Sequence, residues 1–148
     1  MRVETISDEY IKIFINLFYI DSFDISKNEL GLRIKKILDK VNLRYRLYLD
    51  GFYKVNCYIN KKLGIFIDLI KIDDNEFSKG VDYRIVIYDN NKFYMKCDDI
   101  DVDNYTIKKY NNNFYIDIDS VNNNDIDISN IVYGKDADKI YGSGKSIK

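Results

Sequence analysis

Apolar and polar positions alternate along the first seventy residues with two different periods. In Tyr10–Leu17, the residues Ile11, Ile13, Ile15 and Leu17 share one side of an extended chain, and Lys12 and Asn16 take the other. That period of two predicts a half-buried strand. A shorter strand is predicted over Arg2–Ile6. After Ser26 the period lengthens. Leu30, Ile34, Ile37, Leu38 and Val41 recur at helical spacing, with Arg33, Lys35, Lys36 and Lys40 off the stripe. Ser26-Lys27-Asn28-Glu29 has capping-box spacing, in which the Ser hydroxyl and the Glu carboxylate satisfy free backbone N–H groups at the helix start. Gly31 inside this helix costs it about 1 kcal/mol relative to Ala. Asp50-Gly51 then turns the chain into a strand where Tyr53, Val55, Cys57 and Ile59 alternate with Lys54, Asn56, Tyr58 and Asn60. Lys61-Lys62 forms the next turn, and Leu63–Ile70 returns with Ile65, Ile67 and Leu69 on one face. The pattern to residue 72 is ββαββ, a sheet with one helix laid on it.

Residues 72–81 are polar and aperiodic, the best linker candidate. A strand over Asp82–Tyr88 opens the second half. Asp89-Asn90-Asn91 reads locally as a hairpin turn into a strand at Phe93–Cys97, although Asp89 could instead cap a short helix. A hairpin is predicted from Tyr105–Tyr110 and Phe114–Asp119, joined at Asn111-Asn112-Asn113. Ile128, Ile131 and Val132 fall at i, i+3, i+4 before Gly134, which predicts a short helix over Asp127–Tyr133. The remaining tail offers little core. The fold class is therefore α+β: two small lobes, each an antiparallel sheet covered by one or two helices. The first spans 1–72, the linker 73–81 and the second lobe 82–148.

Composition narrows the chemistry. The chain has no His, which removes the commonest general base and metal ligand and excludes zinc hydrolysis and Ser-His-Asp or Cys-His mechanisms. Cys57 and Cys97 stand far apart, giving neither a disulfide framework nor a metal knuckle; Cys57 reads as a buried thiol. The net charge of −1 argues against nonspecific nucleic-acid binding, but it is unevenly spread. Residues 1–72 carry 13 Lys/Arg against 9 Asp/Glu, and residues 73–148 carry 10 against 15. The N-terminus has early acids and no apolar h-region, and no apolar run approaches membrane-spanning length, so a cytoplasmic protein without membrane contact is expected.

Two motifs fail on inspection. Gly142-Ser143-Gly144-Lys145-Ser146 resembles the end of a phosphate-binding loop, but Lys139 stands where its first glycine belongs and too little chain follows for a helix. Asp99, Asp101 and Asp103 have the spacing of calcium ligands, yet Asn104 replaces the required Gly and Tyr110 the required Glu. No cofactor or metal is expected, and no enzyme. What remains is surface. Asp99, Asp101, Asp103, Asp117 and Asp119 beside Tyr115 suggest an acidic face for a basic protein partner, against the plain alternative of solubility charge. Arg33, Lys36 and Lys40 form a basic helix face without an RNA-binding signature.

The layout resembles the MecA family of bacterial adaptors, negative regulators of genetic competence. Met1-Arg2-Val3-Glu4-Thr5-Ile6 with Tyr10–Ile15 is similar to the family's first two strands, and Ile37-Leu38-Asp39-Lys40-Val41 to the end of its first helix. Asp50-Gly51, Lys54–Ile59, Gly64-Ile65-Phe66-Ile67 and Lys71 resemble its closing hairpin. In the second half the similar segments are Tyr88-Asp89, Tyr110 with Phe114-Tyr115-Ile116, Gly134, and Gly144-Lys145-Ser146-Ile147. The resemblance implies a helix starting at Asp89. It also implies an N-terminal lobe that recruits a target protein, such as a transcription factor, and a C-terminal lobe that docks on a ClpC-type unfoldase. The segment 72–81 and the helix at 127–133 are shorter than the family's. The alternative reading is an acidic inhibitor or immunity-type protein that covers a basic surface of a toxin or effector.

Overall fold

A computed structural model describes residues 1–20, 25–73, 80–97 and 107–147. The chain divides into two compact units, Met1–Asp89 and Asn90–Lys148. Each has its own five-stranded sheet, and the α+β class with two sheet lobes holds.

The first unit contains β1 (Arg2–Ser7), β2 (Tyr10–Asn16), α1 (Lys27–Arg44), β3 (Gly51–Asn60), β4 (Gly64–Asp73) and β5 (Val81–Tyr88). Its sheet order is β1-β2-β4-β3-β5. The helix begins where the cap places it: Ser26 Oγ accepts the Glu29 N–H at 3.1 Å, satisfying one of the first free donors. Its stripe of Leu30, Ile34, Leu38 and Val41 is buried on Ile11, Ile13, Ile15, Val55, Cys57, Ile65, Ile67 and Leu69. The alternating strand positions supply one face of the sheet, and the helical stripe covers it. On the other face Phe14, Phe66, Tyr58 and Tyr88 share one cross-strand row, with ring centroids 4.7 Å apart for Phe14–Phe66 and 5.0 Å for Tyr58–Tyr88. The β3–β4 turn is closed by Asn60, whose Oδ1 accepts the N–H groups of Lys62 at 2.9 Å and Leu63 at 3.1 Å.

The strand expected to open the second lobe instead completes the first sheet. β5 lies parallel to β3, in register from Gly51↔Val81 to Tyr58↔Tyr88. β4 and β5 thus lie on opposite sides of β3, β4 ending at Asp73 opposite Phe52 and β5 beginning opposite Gly51. The Gly51 N–H donates to the Gly80 carbonyl at 3.0 Å, and Tyr83 is buried beside Tyr53 with centroids 6.5 Å apart. The linker expected over 73–81 lies mostly outside the described residues; the strands that flank it, β4 and β5, both belong to the first unit, whose boundary falls after Asp89. Moving it also dissolves most of the charge split. Residues 1–89 hold 15 Lys/Arg and 14 Asp/Glu, and residues 90–148 hold 8 and 10.

The second unit contains β6 (Tyr94–Cys97), β7 (Ile107–Tyr110), β8 (Asn113–Asp117), β9 (Ile131–Val132), α2 (Gly134–Ser143) and β10 (Lys145–Ser146). Its strand order is β10-β7-β8-β6-β9. The β7–β8 hairpin forms where predicted, with Asn113 in β8 instead of in the turn; Tyr105 and Thr106 lie outside the described residues. Asn111 and Asn112 both adopt positive φ, 49° and 64°, the requirement of a two-residue type I′ turn, and Asn tolerates that region better than most residues.

Several expectations fail here. The helix implied at Asp89 is absent: β6 is a strand, as the local pattern indicated, but it pairs with β8 and β9 and makes no hairpin with β5. The helix predicted over Asp127–Tyr133 is a 3-10 turn followed by β9; Asp127 Oδ1 accepts the Ser129 N–H at 3.0 Å and holds the chain in that tight turn. Gly134, read as a stop, begins α2 at φ 65°. The tail then does carry core, because Ala137 and Ile140 pack on Tyr94 and Tyr115. The sheet's other face gathers Ile107, Ile116 and Val121. Gly144 ends α2, its N–H donating to the Ile140 carbonyl at 2.8 Å. A Cβ at Gly144 would collide with that oxygen. Gly144-Lys145-Ser146 is therefore a helix exit into β10, which pairs with β7.

Candidate docking site along the edge of the first sheet

Each sheet has two outer strands, and three of the four are protected. β9 and β10 are two residues long. β1 is irregular in register between Thr5 and Ser7 and carries exposed Arg2 and Glu4. Short length, bulges and charge are the ordinary means of keeping a sheet edge from pairing with another chain. β5 has none of them over its second half. It runs eight residues in unbroken register with β3, and Ile85-Val86-Ile87-Tyr88 contains no charge and no Pro. Among the described residues no strand pairs with its outer side.

Beside that edge lies a groove of about 450 Å³ between β5 and α1. The strand contributes Tyr83 and Ile85–Ile87; the helix contributes Lys27, Asn28, Gly31, Leu32 and Lys35. Gly31 sets its depth. A Cβ built there meets nothing within 4 Å, so the missing side chain is open volume. Leu32 is 60% exposed. The two charged residues in the lining are both lysines. Lys27 Nζ lies 3.8 Å from Asp89, with both side chains more than half exposed, a pair of little energetic weight. Burial, then the nearby Asp39 charge, pushes the Tyr83 phenol well above its ordinary value.

The basic residues singled out on α1 lie away from this groove. At 100° per residue, Lys40 is opposite Gly31 on α1. Arg33, Lys36 and Lys40 thus flank the helix away from the groove, and Arg33 reaches Glu29 at 3.5 Å. Tyr115 is a correction. It is buried against α2 with Tyr94, Ala137 and Ile140 and cannot serve as a surface contact, because the unanticipated helix covers its side of β8. Asp117 is half-buried, and its Oδ1 accepts the Asp119 N–H at 3.0 Å, capping the turn after β8. Asp119 is exposed. Both meet Lys108, Tyr94 and Ser120 around a cavity of about 360 Å³. Asp99, Asp101 and Asp103 lie outside the described residues. Sequence reasoning missed the β5 edge, Gly31 and Lys27. Two signals were present: four consecutive apolar residues ending a strand, and a glycine inside an otherwise strong helix.

The pKa values of Cys57, Tyr83 and Tyr94 are all raised. Burial is the first cause in each; Asp68 adds to it at Cys57, and Asp117 then Tyr141 at Tyr94. All three belong to the cores. Among the described residues no three His, Cys, Asp or Glu side chains stand close enough to hold a metal ion, and no helix is long and apolar enough to cross a membrane. Comparison with protein-family models, with curated proteins and with solved structures gives no match for this chain.

Proposed function

We propose that this chain is a non-catalytic adaptor whose first unit holds a target protein and whose second unit docks on a ClpC-type unfoldase. The observation that carries the binding role is the smooth apolar edge of β5 beside an open groove, in a sheet whose opposite edge is bulged and charged. An edge of that kind is a liability unless something pairs with it, and strand addition is a recurrent mode of capturing another chain. The unfoldase as second partner rests on the resemblance in sequence alone.

The test uses the full chain and a purified ClpC-type ATPase. Binding at low salt, with a rise in ATP hydrolysis on addition of the chain, supports the adaptor. No binding at low salt overturns it. A captured target that is inactivated but left undegraded favours the inhibitor reading instead.

A further inference from the structure

We infer that the β5 edge takes an extended, acidic segment of a partner protein as an additional strand, with one apolar side chain of that segment seated over Gly31. This deepens the adaptor reading and rests on it. Three features define the occupant. The outer side of β5 has no neighbouring strand among the described residues, and its strand backbone there is a template that only another extended chain can match in series. The groove is floored by Ile85 and Ile87 and lacks a side chain at Gly31, leaving room for a branched aliphatic group. Its charged lining is Lys27 and Lys35; Asp89 lies 3.8 Å from Lys27, so Lys35 carries the preference, favouring a carboxylate of the bound segment over an ammonium group.

The backbone pairing supplies affinity, and Lys35 and the Gly31 gap supply selectivity. Gly31 thereby gains a second meaning. In an isolated helix it is a weak point, while beside an edge strand it is the space a ligand side chain needs.

The probe is a fluorescent peptide of about seven residues, a central isoleucine between valines with glutamates at the flanks, matched in length to β5. Two controls replace the glutamates by lysines or put prolines at alternate positions, which abolishes strand pairing. The acidic peptide is expected to bind the full chain at least about tenfold more tightly than either control. Bound peptide should shift the backbone amide signals of Tyr83–Tyr88 in NMR spectra. Gly31→Leu fills the groove with a better helix former, so the fold should persist, seen as an unchanged thermal midpoint or a higher one, while affinity falls about tenfold or more. Lys35→Glu, at an exposed helix position, should shift preference from the acidic toward the lysine peptide.

Equal binding of acidic and lysine peptides, shifts confined to other elements, or unchanged affinity in Gly31→Leu would each overturn the inference. So would a concentration-dependent dimer joined through β5, because the edge would then belong to a second copy. Failure of the peptides while ATPase stimulation persists removes this inference and leaves the adaptor standing. Loss of stimulation as well removes both.

Discussion

Gly31 and Gly64 carry the same side chain and opposite consequences. Gly31 is helical, with open space where a Cβ would sit, so Gly31→Ala is expected to raise stability by up to about 1 kcal/mol. Gly64 has φ 142°, and a Cβ there would drive into the Ile15 carbonyl across the β2–β4 pair. Gly64→Ala is expected to lower stability by more than about 2 kcal/mol. Urea denaturation of the two variants checks both signs, and a neutral Gly64→Ala would refute the steric argument. Titration works at the same scale. With no His, little charge changes between pH 6 and 8. Cys57 and Tyr83 have folded pKa values raised above their ordinary 9.0 and 10.0, so the folded state favours their neutral forms. That contribution is fully present below pH 9. It is lost as the pH rises above 9, where the unfolded thiol ionises first, and further above 10, where the unfolded phenol follows. Denaturation midpoints from pH 7 to 11 should therefore fall on the alkaline side only, and Tyr83→Phe should shrink the loss above pH 10.

Single elements show which parts of the fold were legible. The β7–β8 hairpin was, because an Asn-Asn pair between alternating segments has a local physical reason to turn, both residues accepting positive φ. Asn112→Gly should preserve or slightly raise stability, and Asn112→Val should lower it by about 1–2 kcal/mol, since a β-branched residue is strained at φ 64°. Equal thermal midpoints for the two would count against the turn. The α1 cap and stripe, and the alternation in β2, β3 and β4, were likewise written in contiguous residues. The failures share a different cause. Alternation in Val81–Tyr88 states that the segment is a half-buried strand but holds nothing about its partner, which lies about thirty residues back and runs parallel. The helix α2 was missed because two residues, Ala137 and Ile140, carry its whole buried stripe and one of them is a single methyl. Tyr115 was misassigned as a consequence. A surface prediction for one strand face depends on every element that covers it.

At the scale of the molecule, the decisive feature is which unit owns β5. A boundary at residue 72 gives a basic and an acidic lobe; the boundary after Asp89 gives two nearly neutral units, so a large opposing field between halves no longer explains partner choice. Local chemistry at the edge and in the groove must do so instead. Ownership can be tested by cutting the chain. A fragment of residues 1–89 keeps β5 on β3 and Tyr83 against Tyr53, and it is expected to unfold cooperatively in far-UV circular dichroism. A fragment of residues 1–72 loses eight residues of parallel pairing and the Gly51–Gly80 bond, and its β3, an inner strand of the intact sheet, becomes a long unprotected edge. Such an edge pairs with other copies. The shorter fragment should therefore melt at lower temperature and aggregate more than the longer one. Equal stability of the two would mean that β5 adds nothing to the first sheet. The docking edge would then be a detachable strand rather than a fixed template, and strand addition would lose its rigid platform.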